Sequence, residues 1–189
     1  MAFAERIKNH FSESVQTNMI IAESLAEKIA EVGQSIVNSI LNNKKVIICG
    51  NGDSVSSAVY FSTKLLNSFE MERPSLPAMT LSTKSGNKTS PSQLYAKQIN
   101  ALGNSGDAMI VISNQGNDSV LIEAVKAAQE KNINIISITG SDGGKISTML
   151  TENDDQICIP SDRNARIHES QTIIIHCLCD VVDMYLFGA

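Results

Sequence analysis

The stretch Lys45-Val46-Ile47-Ile48-Cys49-Gly50-Asn51-Gly52-Asp53-Ser54-Val55-Ser56-Ser57 decides how the rest of the chain is read. Its apolar, largely β-branched run is the pattern of a strand buried on both faces. The two glycines that follow let the backbone turn sharply and come close to a ligand. Ser54 or Ser56 is placed to cap the next helix, leaving free N–H groups at the positive end of its dipole. Strand, glycine turn and helix in that order make an anion or polyol site.

Working outward from this turn, the region before it is helical from Ala4 to about Asn42. Ile7, Phe11, Val15 and Met19 recur every four residues, and Leu25, Ile29, Val32, Ile36 and Ile40 every three to four, so one or two long helices are expected. Residues 1–43 are therefore read as an N-terminal helical segment and 44–189 as an α/β domain, the two forming one structural unit. That much amphipathic helix needs a cover for its apolar stripe. The same helices of another subunit would supply it, making the chain a homo-oligomer; the alternative is packing on its own domain alone.

After the opening turn, Ser54 to Phe69 reads as a helix with Val55, Val59, Phe61, Leu65 and Leu66 inward. Met71 to Pro77 breaks it before a short apolar run, Ala78 to Leu81, and Ser82 to Ser92 has no apolar period and reads as a mobile surface loop. Leu94 to Leu102 is helical and Gly103 ends it. Ala108 to Ser113, Ile133 to Ile138 and Gln156 to Pro160 read as strands. The helices between and after them end near Lys131, run as a short piece to Leu150, and span Asn164 to Leu186. Strands alternating with helices predict a parallel sheet with helices on both faces, and in such sheets ligands bind outside the carboxyl ends of the strands.

Composition narrows the function classes. Hydrophobic residues make up 42% and charged residues 19%, ordinary globular usage. The net charge of -5, without clusters of Lys and Arg, argues against direct nucleic-acid binding. No apolar run approaches the roughly 20 residues of a membrane span, and charges stand where a signal peptide would be apolar, so a cytoplasmic protein is expected. Cys49, Cys158, Cys177 and Cys179 lack CxxC spacing and are read as buried, reduced thiols.

Three loops share one character: Gly50 to Ser54, Ser113 to Ser119 and Thr139 to Gly144. Each sets hydroxyls, amides and backbone N–H groups ahead of a helix, which suits a polyol carrying a phosphate. The candidate ligand residues are Asn51, Gly52, Ser54, Ser113, Asn114, Gln115 and Asn117. Gly and Ser loops precede helices in most doubly wound proteins, so it is the set that carries the reading.

Cys-Gly-Asn-Gly at 49 to 52, Glu-Arg-Pro-Ser-Leu-Pro-Ala at 72 to 78, Ala-Leu-Gly at 101 to 103, Gly106-Asp107, Ile112-Ser113 with Gly116-Asn117, Thr139-Gly140, Asp142-Gly-Gly, and Ala165-Arg-Ile with Glu169 together resemble the sugar isomerase (SIS) domain family. Within it they resemble the group holding the phosphoheptose isomerases and the DnaA initiator-associating (DiaA) proteins. The resemblance implies a flavodoxin-like sheet, a homotetramer with sites between subunits, and a sugar phosphate as ligand. In the isomerases a glutamate on the helix after the first loop is the base; the matching residue here is Thr63, whose hydroxyl cannot take that proton at neutral pH. The acid histidine matches His176, and His168, a further candidate ligand residue, stands where the isomerases carry a glutamine. Some isomerases of the group bind zinc at these three positions. No cofactor is expected here, and zinc would have to use His168 and His176, eight residues apart on one helix.

The phosphate loop departs as well: Ser113-Asn114-Gln115-Gly116-Asn117-Asp118 has fewer hydroxyls than the family pattern and brings a carboxylate. Glu169 is an alternative base, and His10 reads as a surface residue. The end of the chain, Cys177-Leu178-Cys179-Asp180 with Leu186-Phe187, resembles the DiaA branch, which implies DnaA as partner and Leu186 and Phe187 as its anchor. On residues alone, the pair either anchors a partner or closes the last helix onto the core. Two functions follow from the resemblance: a DnaA-binding protein with a degraded phosphosugar pocket, or an isomerase of sedoheptulose 7-phosphate.

Overall fold

Alternate residues of the first strand enter different cores: Val46 and Ile48 one, Ile47 and Cys49 the other. The third strand repeats this with Ala108, Ile110 and Ile112 against Met109 and Val111. Such period-two alternation, apolar on both sides, is what a strand sandwiched between helical layers requires. The computed structural model describes residues 2–84 and 90–188.

Helix α1 runs over Phe3–Leu41 and strand β1 over Val46–Gly50. Then come α2 (Ser54–Leu66), β2 (Ala78–Thr80), a 3-10 turn (Pro91–Gln93) and α3 (Leu94–Leu102). The second half continues with β3 (Ala108–Ile112), α4 (Ser119–Glu130), β4 (Asn134–Gly140), α5 (Gly144–Ser147), β5 (Asp155–Ile159) and α6 (Asn164–Phe187). All strand pairs are parallel, in the order β2-β1-β3-β4-β5. This is the flavodoxin-like order, with its switch point between β1 and β3. Helices α1, α2 and α6 cover one face; α3, α4 and α5 cover the other.

The expected α/β sheet is present, and the N-terminal segment, read as one or two long helices, is one continuous helix of 39 residues. Three details differ. In α2, Val59 and Leu66 are exposed, because the face laid on the sheet is the one carrying Ser54, Ser57, Ala58, Phe61 and Leu65 at three-to-four spacing. The short helix after β4 is a single turn, Gly144–Ser147, entered through two left-handed glycines. Cys49 and Cys179 are buried and Cys158 is half-buried, whereas Cys177 lies on the outer face of α6 and is exposed. Of the predicted 82–92 loop, residues 85–89 lie outside the described residues.

The two halves of α1 differ. Ile29, Val32, Ile36 and Val37 join the core, while Phe3, Ile7, Phe11, Val15 and Met19 are exposed, Phe11 to 71%. Polar ties hold this outer half to α6: Glu13 pairs with Arg163, Arg166 donates to the His10 carbonyl, and Ser170 donates to Asn18 at 3.0 Å. The side chain of His10 is on the surface, as expected. Helix α6 is long and apolar enough by composition to cross a membrane. Its Ile174, Ile175, Leu178 and Val182 are buried in the core beside the sheet.

Candidate functional site

The tight turn after β1 exists because residue 50 is glycine: a Cβ there would run into the Ser54 carbonyl. It launches α2 so early that Asp53 is the N-cap, in a helical rather than extended conformation. Capping by a side chain needs the extended one, so neither serine caps the helix as expected. The Ser56 hydroxyl donates to the Asp53 carbonyl at 2.7 Å. Ser54 is buried, its hydroxyl turned inward, 3.4 Å from Asn114 Oδ1 and 3.5 Å from Gln171 Oε1.

The loop after β3 folds onto this turn at the switch point. Asn51 Nδ2 donates to Asp118 Oδ1 at 2.7 Å, and Ser113 Oγ donates to Asp118 Oδ2 at 2.9 Å. The Gly116 N–H donates to Ser113 Oγ at 2.9 Å. Gly116 has φ +68, and a Cβ on it would collide with the Gly143 carbonyl, so the loops after β3 and β4 interlock only with glycine there. The Lys145 N–H donates to Asn117 Oδ1 and the Gly144 N–H to Asp142 Oδ1. Asn114, Gln115, Asn117, Ser141, Asp142, Asp162 and Ile167 line a small hollow of about 150 Å³.

Two residues central to this arrangement escaped the sequence reading. Gln171 is fully buried, its Nε2 donating to the Ser113 carbonyl at 3.2 Å, so it ties α6 to the middle strand end. A polar residue in helical phase with Ile174, Ile175 and Leu178 was the available signal. Tyr60 is the other; it falls one turn after Ser56 on the face of α2 that meets α6.

The histidines are held by that face. Ser56 Oγ lies 3.3 Å from His168 Nε2, and the Tyr60 hydroxyl 2.8 Å from His176 Nε2. With tyrosine as donor, the neutral His176 ring carries its proton on Nδ1. Tyr60 and Phe69 both rest against the His176 ring. His168 lines a separate open hollow of about 520 Å³ with Asp53, Ser56, Asn164, Ala165 and Glu169. Glu169 is tied to Arg166 at 2.6 Å. Each histidine thus has a different α2 partner, and among the described residues no three His, Cys, Asp or Glu side chains are placed to hold a metal ion. This donor set does not fit zinc.

Thr63 is exposed and its hydroxyl donates back to the Val59 carbonyl at 2.8 Å, leaving no base on that turn of α2. Asn51, Ser54, Ser113, Asn114 and Asn117 are brought together with Gln115; Gly52 is exposed, with open space around it. His168 lies beside this group, across Ser56. Leu186 and Phe187 lie toward the opposite end of α6, roughly 28 Å along the helix from His168. Leu186 packs on the core, whereas Phe187 is 37% exposed with its ring 5.8 Å from the Arg73 guanidinium.

Residues 9–140 match the SIS domain. The chain is 42% identical to a DnaA initiator-associating protein DiaA of Enterobacter sp. (strain 638), covering 97% of this chain and 96% of that protein. It is 40% identical to a phosphoheptose isomerase of Azoarcus sp. (strain BH72), covering 100% and 98%. Among solved structures, a phosphoheptose isomerase from Francisella tularensis superposes with a TM-score of 0.93 at 38% identity, covering 97% of this chain and 100% of that one.

Proposed function

The chain belongs to the SIS domain family, and from that premise we propose that it is a cytoplasmic, homotetrameric, DiaA-like protein that acts by binding the replication initiator DnaA and keeps a degraded phosphosugar pocket. The observation that carries this reading is Thr63. Proton transfer between adjacent carbons of a sugar needs a base within hydrogen-bond reach of the carbon acid, and the turn of α2 that would supply it offers a hydroxyl already spent on Val59. His176, the acid of the pair, is occupied by Tyr60.

The end of α6 supports the binding role. Phe187 is presented one helical turn beyond the exposed Met184, an apolar pair of the kind that anchors a protein partner. The homotetramer is supported by the uncovered stripe on α1, where each large side chain contributes about 1.5–3 kcal/mol when fully buried. DnaA retention on immobilised protein tests the function: wild type is expected to hold DnaA and Phe187→Ala to lose most of it. Equal retention by the variant, or none by wild type, overturns the reading.

His176 and the likeness to the isomerases favour a second reading, isomerisation of sedoheptulose 7-phosphate. It requires turnover that His176→Ala abolishes, and absence of turnover by wild type removes it.

A further inference from the structure

Asn51-Gly52 is the only Asn-Gly pair in the sequence, and it lies exposed on the turn between β1 and α2. A glycine after asparagine leaves the peptide nitrogen unshielded by a side chain, and at Gly52 nothing lies within 4 Å of where a Cβ would stand. The Gly52 N–H donates to no group among the described residues. The bonds of the turn run instead from the Ser54 N–H to the Asn51 carbonyl and from the Val55 N–H to the Gly52 carbonyl. Asp142-Gly143, on the loop after β4, is the contrasting pair. There the glycine is buried, its N–H donates to the Gly140 carbonyl at 3.1 Å, and Asp142 Oδ1 is held by the Gly144 N–H at 3.0 Å.

A free, unshielded peptide nitrogen next to a side-chain amide is the arrangement from which a succinimide forms. The Gly52 nitrogen gives up its proton and attacks Asn51 Cγ; the N–Cγ bond forms, the Cγ–Nδ2 bond breaks, and Nδ2 leaves as ammonia. Water then opens the ring at either carbonyl, leaving aspartate or isoaspartate. The balance is water taken up and ammonia released, with no oxidant or reductant. Asp118 is the brake on this chemistry. Its Oδ1 accepts from Asn51 Nδ2 at 2.7 Å, and its Oδ2 is fixed by Ser113 Oγ at 2.9 Å. A charge-assisted hydrogen bond of this kind restrains the side-chain rotation that attack requires.

We propose that Asn51-Gly52 is a self-modification site, which converts to aspartate or isoaspartate at a rate restrained by the Asp118 carboxylate. Conversion replaces a neutral donor by a carboxylate that faces the carboxylate of Asp118. Two such charges at hydrogen-bond distance repel, so the bond joining the loops after β1 and β3 is lost once the residue changes. The isoaspartate product also carries its Cβ into the main chain, lengthening the turn that Gly50 keeps tight. This goes beyond both functions proposed above and depends on neither.

The test ages the purified full chain in mildly alkaline buffer and maps its tryptic peptides by mass spectrometry. Peptide 46–64 carries Asn51 as its only side-chain amide. The mass gain of amide-to-acid conversion in it therefore reports this site alone, and labelling by an isoaspartyl methyltransferase reports the rearranged product. In folded wild type this peptide is expected to convert faster than any other asparagine-bearing peptide. Peptide 132–145, which holds Asp142-Gly143, is expected to stay free of isoaspartate. Asp118→Ala, checked for a native melting transition, is expected to convert roughly tenfold faster than wild type, with Asp118→Asn between the two. Wild type aged in urea supplies the unrestrained rate. If the folded peptide stays unmodified while the unfolded one converts, the proposal is overturned. If both Asp118 variants, natively folded, convert no faster than wild type, the proposed restraint is overturned.

Discussion

Burial at single residues sets the thiol chemistry. Burial pushes the Cys49 thiol up to about 12, and burial with the nearby Asp183 carboxylate does the same to Cys179. At pH 8 the thiolate of either is then about one part in ten thousand. Titration of the folded protein with a disulfide reagent at pH 8 is expected to leave both unmodified until denaturant is added; rapid native modification of either contradicts their placement. The sign of the linkage follows from the raised values. The neutral thiols favour the fold, so their contribution is complete below the ordinary thiol pKa of 9.0. It is lost as pH climbs from there toward 12, by about 1.4 kcal/mol per unit for each thiol. Residue type alone gave both cysteines as buried, since each sits in an apolar run, but not Cys177 as exposed. Cys177 and Cys179 are two apart on a helix, about 200 degrees around it, and cannot share a face.

Arg73 shows how one side chain joins elements. It lies in the segment between α2 and β2, buried, and its Nε meets Asp183 of α6 at 2.6 Å. Its two Nη groups donate to the carbonyls of Lys64 and Leu65, which the end of α2 leaves without helical partners. Arg73→Ala strands the Asp183 carboxylate and uncaps α2, so a loss of about 3–5 kcal/mol is expected in urea unfolding; a change under 1 kcal/mol would show the pair to be dispensable. At this scale the sequence was most legible. The strands declared themselves by apolar runs and the helices by period, and glycines marked the turns. What it concealed were relations between elements. Nothing in the α2 pattern told that a face of serines and alanine would lie on the sheet, leaving Val59 out. Nor could spacing on α6 alone reveal that Ser56 and Tyr60 would take one histidine each, since that depends on how α2 and α6 cross. The Asn51–Asp118 bond was hidden for the same reason, joining loops 67 residues apart.

For the molecule as a whole, the uncovered outer half of α1 governs assembly. Phe11→Asp places a charge in the middle of the stripe without touching the core. Sedimentation is expected to show wild type as an oligomer and the variant as a smaller species with unchanged helical content; identical sedimentation argues that the stripe is not the contact. The same helix also has a consequence in time. Its outer half is made some 150 residues before the residues that hold it, Arg163, Arg166 and Ser170. At ordinary rates of synthesis that is roughly 10–30 seconds. During this interval the polar ties that fix the outer half of α1 to α6 cannot form. A segment made early is thus tied down late, only after α6 itself has been synthesised.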